Sequence, residues 1–138
     1  MHQRLVIHGD IKDENIVINE YMEAKLIDFG SSRVIPSPTQ DRLHRFQGTI
    51  NYVSPEILVD GSYSGKAFDI WCSGVLLYTM LTGEVPFASV NDVRLLHRRC
   101  PRIAMSQDAS ELIDWMLQKD PTQRPSASQV LAHKWLQC

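Results

Sequence analysis

The spacing of apolar positions changes part-way along this chain. Before residue 30 they come in short runs, Ile16-Val17-Ile18 and Lys25-Leu26-Ile27, on either side of the polar stretch Asn19-Glu20-Tyr21-Met22-Glu23. Such β-branched and aliphatic runs around a polar turn predict a β-hairpin. From Gly30 to Asn51 periodicity lapses, and three Ser, two Thr, two Pro and two Gly accumulate. That stretch predicts a long loop, and long loops in compact domains are usually functional. Beyond Pro55 the pattern becomes helical. Pro55 suits a first helical position and Gly61 a stop near Asp60. Phe68–Leu81 is apolar on most sides, predicting a buried helix that ends at Gly83. Ser89 with Asp92 marks a capped start before Val93, Leu96 and His97. Ser106 can cap a helix carrying Leu112, Ile113, Trp115, Met116 and Leu117. Ser126 with Gln129 fits a capping box before Val130, Leu131 and Trp135. Two short strands and a long loop thus lead into about five helices, an α+β chain that is mainly α-helical. No internal repeat and no linker interrupts it.

Composition adds bounds. The 138 residues are 43% hydrophobic and 22% charged, ordinary values for one globular domain. A net charge of −2 supplies no global field for nucleic acid or an anionic membrane, so neither is an expected partner. Cys72, Cys100 and Cys138 are few, odd in number and not spaced for zinc. They point to a reducing compartment, so a cytoplasmic or more broadly intracellular location, the nucleus included, is expected. The start, MHQRLVIHGD, lacks the apolar core of a signal peptide, and the longest apolar stretch, Ile70–Leu81, is too short to span a bilayer.

Candidate chemistry concentrates in His8-Gly9-Asp10-Ile11-Lys12-Asp13-Glu14-Asn15 and, past the hairpin, Asp28-Phe29-Gly30. Phosphoryl transfer asks a protein for positioning, for magnesium ligands, and for cations that meet the developing charge. Asn15 and Asp28 offer hard oxygens for magnesium and bracket a hairpin that can fold them onto one site. Asp10 offers an oxygen to a substrate hydroxyl, and Lys12 a compact cation. Taken alone, these side chains would read as a solvated loop.

In sequence order, His-x-Asp-x-Lys-x-x-Asn, Asp28-Phe29-Gly30 and Ser54-Pro55-Glu56 resemble the protein-kinase catalytic loop, magnesium motif and end of the activation segment. Asp69-Ile70-Trp71-Cys72-Ser73-Gly74 resembles the start of that family's central helix, Pro86-Phe87 the turn after it, and Asp120-Pro121-Thr122-Gln123-Arg124-Pro125 its late arginine motif. His133-Lys134-Trp135-Leu136 resembles the closing helix. Lys12 resembles the serine/threonine type, and Asp10–Ile18 with Leu26–Ser31 the PAS-kinase and Pim branch of the calmodulin-kinase-like group.

The resemblance implies the large C-terminal lobe of a kinase-like fold within one partial domain, 1–138. The catalytic loop would be 8–15, the magnesium motif 28–30, the activation segment 28–56 and the helical subdomain 57–136. It implies ATP and Mg2+ as cofactors, and a protein with a Ser or Thr acceptor as substrate. Asp10 would orient the substrate hydroxyl and accept its proton. Lys12 would neutralise the transferring phosphate, and Thr49 would bridge to both. Asn15 and Asp28 would hold the metal. Val17 would floor the adenine, and Lys12, Glu14 and Asn15 would complete the nucleotide side. Glu14 also implies basic residues near the acceptor, although its usual acidic companion is Thr79 here. Glu56 would pair with Arg124 inside the fold, Asp69 would accept backbone N–H groups near His8 and Gly9, and His8 would pack under Phe29. Cys72 would be inert packing, and Arg94, Arg98, Arg99 and Arg102 a solvated helix face.

Two departures stand out. No glycine-rich loop, strand lysine or partner glutamate precedes His8, and a whole kinase domain is roughly twice this length. The ATP-covering N-terminal lobe is therefore expected to be missing, and nucleotide binding to need it. Gly9 replaces the family's usual arginine, and Arg45 stands where an activation-loop hydroxyl is usually phosphorylated. Activity independent of loop phosphorylation is expected, with Arg45 near an acid such as Asp41 holding the loop. The alternative is a non-catalytic, pseudokinase-like binding or scaffold module, or a gene remnant.

Overall fold

The computed structural model describes residues 1–137; the third cysteine, Cys138, lies outside the described residues. Its axis is α1, Gly65–Thr82. Ser64 caps this helix by accepting from the Ala67 N–H, and Gly83 closes it with its N–H on the Thr79 carbonyl. Phe68, Trp71, Cys72, Val75 and Tyr78 are all buried, as an all-round apolar sequence requires. Three shorter helices surround it: α2, Val90–Leu95; α3, Gln107–Met116; and α4, Ala127–Leu131. Ser89, Ser106 and Ser126 cap them as expected, Ser126 through the complete capping box with Gln129.

Helix α3 buries Leu112, Ile113 and Met116 against α1. Gly74 permits that approach, because a Cβ there would meet Leu117 Cδ2 at 2.9 Å and Met116 Cβ at 3.0 Å. Trp71 stacks flat on Phe87 at 5.5 Å between centroids, which seats the turn after α1. Ala127, Val130 and Trp135 cover the other side, against Ile70, Leu112 and Met116.

Among the described residues the strands form three antiparallel pairs. Strands β1, Val6–Ile7, and β4, Arg33–Val34, pair with Val6 opposite Val34. The hairpin is β2, Ile16–Ile18, with β3, Ala24–Leu26, in the register Ile16–Leu26. Strands β5, Arg42–Leu43, and β6, Tyr63–Ser64, pair with Arg42 opposite Ser64. The architecture is α+β, richer in helix than in strand, as the sequence implied.

Several local expectations need correction. The helix after Pro55 is a single 3-10 turn, Pro55–Leu58, so four α-helices form among the described residues where about five helices were expected. The second strand starts one residue early, at Ala24, and leaves Ile27 outside. The stretch 30–51 is not a plain loop, since β4 and β5 anchor it to distant segments. Arg98, Arg99 and Arg102 do not lie on a helix face. Leu96 turns left-handed (φ 52°) and ends α2, and these arginines then pair with Asp114 and Glu84.

Candidate functional site

The candidate site is built where residues 8–15 meet the end of the 30–51 segment. His8 is fully buried, with its ring 5.0 Å from Phe29 in an edge contact. Its ring nitrogen Nε2 lies 3.1 Å from the Ile27 carbonyl, which ties the loop to the residue before Asp28. Asp69, buried at the start of α1, accepts the N–H groups of His8 and Gly9, both at 2.9 Å. Gly9 has φ +81°, and a Cβ there would stand 2.8 Å from the Ser31 carbonyl oxygen. The residue in place of the usual arginine therefore also relieves a backbone contact.

Asp10, Lys12 and Thr49 close a triangle. Lys12 Nζ lies 2.9 Å from Asp10 Oδ2 and donates to Thr49 Oγ1 at 2.8 Å. Thr49 donates to Asp10 Oδ1 twice, from its hydroxyl at 3.0 Å and its N–H at 3.1 Å. Burial pushes the Asp10 carboxyl up, but the bonds from Lys12 and Thr49 outweigh it and leave the pKa below the ordinary 3.8. The bond to Asp10 holds the Lys12 ammonium above its ordinary value. Both groups are thus charged near neutral pH.

Asn15, buried at the end of a 3-10 turn Asp13–Asn15, donates its amide to the Asp10 carbonyl at 2.8 Å and to Asp10 Oδ2 at 3.2 Å. Its own carbonyl oxygen is the end left for a cation. The Ile27 N–H donates to the Asn15 backbone carbonyl at 2.9 Å, so the hairpin returns Asp28 to this neighbourhood. Asp28 adopts a left-handed conformation (φ 59°), its side chain accepts the Gly30 N–H, and its charge reaches Lys12. Side chains of Asn15 and Asp28 do not bond each other. An amide oxygen and a carboxylate fit magnesium, which takes one or two protein oxygens and completes its shell with phosphates and water. Glu14 is exposed beside the triangle, and Val17 is 44% exposed on β2.

Residues beyond the expected set also matter. Tyr52 donates its hydroxyl to Asp13 at 2.9 Å, and His2 Nε2 lies 2.8 Å from Asp69 Oδ2. No short-range pattern announces either pair. Arg124 and Glu56 form the expected bidentate pair, at 2.8 and 2.6 Å. Burial pushes the Cys72 thiol well up, in keeping with inert packing. Arg45 does not pair with Asp41. The Asp41 carboxylate instead accepts the Ser64 hydroxyl at the start of α1, its carbonyl accepts the Gly65 N–H, and Lys66 Nζ reaches the Pro38 carbonyl. A cavity of about 680 Å³ between the N-terminal turn, α1 and α4 includes none of Asp10, Lys12, Asn15, Asp28 or Thr49 in its lining.

Residues 1–136 match the protein kinase domain family, and the chain belongs to it. Its relatives include the PAS domain-containing serine/threonine-protein kinase of Mus musculus, 37% identical over 138 residues that cover 99% of this chain and 10% of that protein. Serine/threonine-protein kinase PSK2 of Saccharomyces cerevisiae is 36% identical, covering 99% of this chain and 12% of that protein. Calcium/calmodulin-dependent protein kinase cmkA of Emericella nidulans is 35% identical, with 99% and 35% covered. The chain therefore spans between 10% and 35% of the length of these relatives. Among the described residues no helix is long and apolar enough to cross a membrane.

Proposed function

We propose that this chain is the C-terminal lobe of a protein serine/threonine kinase that transfers the γ-phosphoryl group of ATP to a Ser or Thr hydroxyl of a protein. The observation that carries the reading is the Asp10–Lys12–Thr49 triangle with Asn15 folded onto Asp10. In this reading residues 8–15 are the catalytic loop, 28–30 the magnesium motif, 28–56 the activation segment and 57–136 the helical subdomain.

The substrate hydroxyl donates its hydrogen bond to the Asp10 carboxylate, which aims an oxygen lone pair at the γ-phosphorus. As the new O–P bond forms, the bond to the β-phosphate oxygen breaks and ADP leaves with that electron pair. The hydroxyl proton passes to Asp10. Lys12 meets the charge on the transferring group, and Thr49 fixes both side chains. Magnesium, when held by Asn15 and Asp28, supplies charge neutralisation at the phosphates. Glu14 lies at the substrate and ribose side, where its carboxylate favours basic residues near the acceptor. Val17 floors the adenine.

Val17, Ile27 and Phe29 are each at least 40% exposed, an apolar surface suited to cover by a second lobe that would close over the nucleotide. The segment 38–43 is held to the start of α1 by hydrogen bonds and by Leu43 packed against the core, which supports activity without loop phosphorylation. The unpaired thiols of Cys72 and Cys100 support an intracellular setting, cytoplasmic or nuclear.

The test is phosphoryl transfer by the full-length protein carrying this segment. Asp10→Asn should lower turnover by about 10²–10⁴-fold. Turnover within a few-fold of the parent would overturn the assignment of Asp10.

A further inference from the structure

The three-residue turn Ile50–Tyr52 touches the catalytic loop at both of its ends. Thr49, which caps the turn, holds Asp10 and Lys12. Tyr52, which ends it, donates its hydroxyl to Asp13 Oδ1 at 2.9 Å across 39 residues of sequence. The two grips differ in chemistry. Asp10, Lys12 and Thr49 are the groups that a substrate hydroxyl and a phosphate would engage, so their mutual bonds must re-aim when ligands arrive. The bond between Asp13 and Tyr52 uses no group assigned to the reaction, and it can persist throughout.

Tyr52 is suited to be the fixed side. It is 5% exposed and belongs to the main core cluster with Phe68, Trp71 and Cys72 of α1. Its carbonyl accepts the Cys72 thiol at 3.6 Å, so its backbone too is tied to the central helix. Asp13 is exposed and opens the 3-10 turn that ends in Asn15. A shift of Asp13 therefore moves Lys12 on one side and Asn15 on the other.

We infer that Asp13 and Tyr52 are positioning residues, a brace that locks the Lys12–Asn15 turn to the central helix and so sets the metal ligand Asn15 and the cation Lys12 for transfer. The catalytic half of this statement rests on the kinase reading; the mechanical half does not.

The experiment follows amide hydrogen exchange in the full-length protein carrying this segment, for the parent, Tyr52→Phe, Asp13→Ala, Asp13→Asn and the double variant Asp13→Ala/Tyr52→Phe. Tyr52→Phe keeps the ring in the core and removes only the donor. It and Asp13→Ala should each speed exchange across residues 12–15 by about tenfold, the loss of one charge-assisted hydrogen bond. Exchange in α1 and α3 should not change, the double variant should be no worse than either single, and Asp13→Asn, which keeps an acceptor, should recover most of the protection. Unchanged exchange at residues 12–15, or a uniform rise throughout the chain, would overturn the brace. In the same protein, kcat should fall about tenfold in both single variants with KM for the protein substrate held, and Asp13→Asn should restore it. A kcat unchanged while exchange rises would overturn the catalytic half. A parent without transfer activity would overturn the kinase reading, and the exchange result would still decide the brace.

Discussion

Replacing Glu56 by alanine should unfold this chain far more easily while touching none of the groups assigned to chemistry. Glu56 sits in the 3-10 turn Pro55–Leu58, and Arg124 follows the turn after α3. Their side chains are 5% and 0% exposed and are joined by two bonds. With Glu56 removed, the guanidinium keeps the carbonyls of Gln118 at 2.9 Å and Ala67 at 3.1 Å, and the face of Trp71 at 4.8 Å. Those partners are neutral, so the cation loses its buried counter-charge. Breaking a buried pair in this way costs about 3–5 kcal/mol, and the surviving carbonyl bonds place the value near the lower end. A chain of this size loses about 4 °C of melting temperature per kcal/mol. Thermal unfolding followed by circular dichroism should therefore shift down by about 12 °C or more. The pair Glu56→Leu with Arg124→Met, which removes both charges and keeps volume, should lie well above either single variant, since a fully apolar replacement of a buried pair is often near neutral. A Glu56→Ala protein that melts within about 3 °C of the parent would refute the reasoning, because so small a change is less than 1 kcal/mol.

Other expectations follow from single atoms. Ser54 Oγ is buried without a hydrogen-bond partner among the described residues and does not cap its turn, so Ser54→Ala should raise stability by about 1 kcal/mol, read from the denaturation midpoint; a loss would refute it. Gly9→Ala should cost about 1–2 kcal/mol from its left-handed backbone alone, with the Ser31 carbonyl contact adding to it, whereas Gly61→Ala, which meets nothing within 4 Å, should be nearly neutral in the same melts. Equal effects at the two glycines would count against this account. The lowered Asp10 pKa gives its pairing a definite pH window. Its contribution is present above the ordinary value of 3.8 and is lost as pH falls through the lowered folded value. The melting-temperature gap between the parent and Asp10→Asn should therefore shrink on acidification below about pH 4. A gap constant from neutral to acid pH would contradict the ionic pairing.

The motif spacing and the helix caps were legible without coordinates because both are local. A serine three residues before the N–H whose hydrogen bond it accepts, a glycine after the last turn, or a polar run between two apolar ones acts over a few residues whatever the rest of the chain does. The same applies within the candidate site, where Asp10, Lys12 and Asn15 share one short stretch of chain and one hairpin returns Asp28 to their neighbourhood. Other features depended on partners far away. The pairs β1–β4 and β5–β6 are two residues long, too short to carry a periodic signal, and each exists only because a remote segment completes its hydrogen bonds. Helix propensity after Pro55 yielded to a 3-10 turn that carries Glu56 to Arg124. Asp41 chose the start of α1 over Arg45, where Ser64 and Gly65 offered donors at a helix N-terminus. The bond from Tyr52 to Asp13 likewise arises only once α1 has placed both segments on one side of itself. Local chemistry determined which residues could act. Packing around a helix apolar on every side decided which of them meet, because burying that helix costs least when each polar group brought in with it finds a partner.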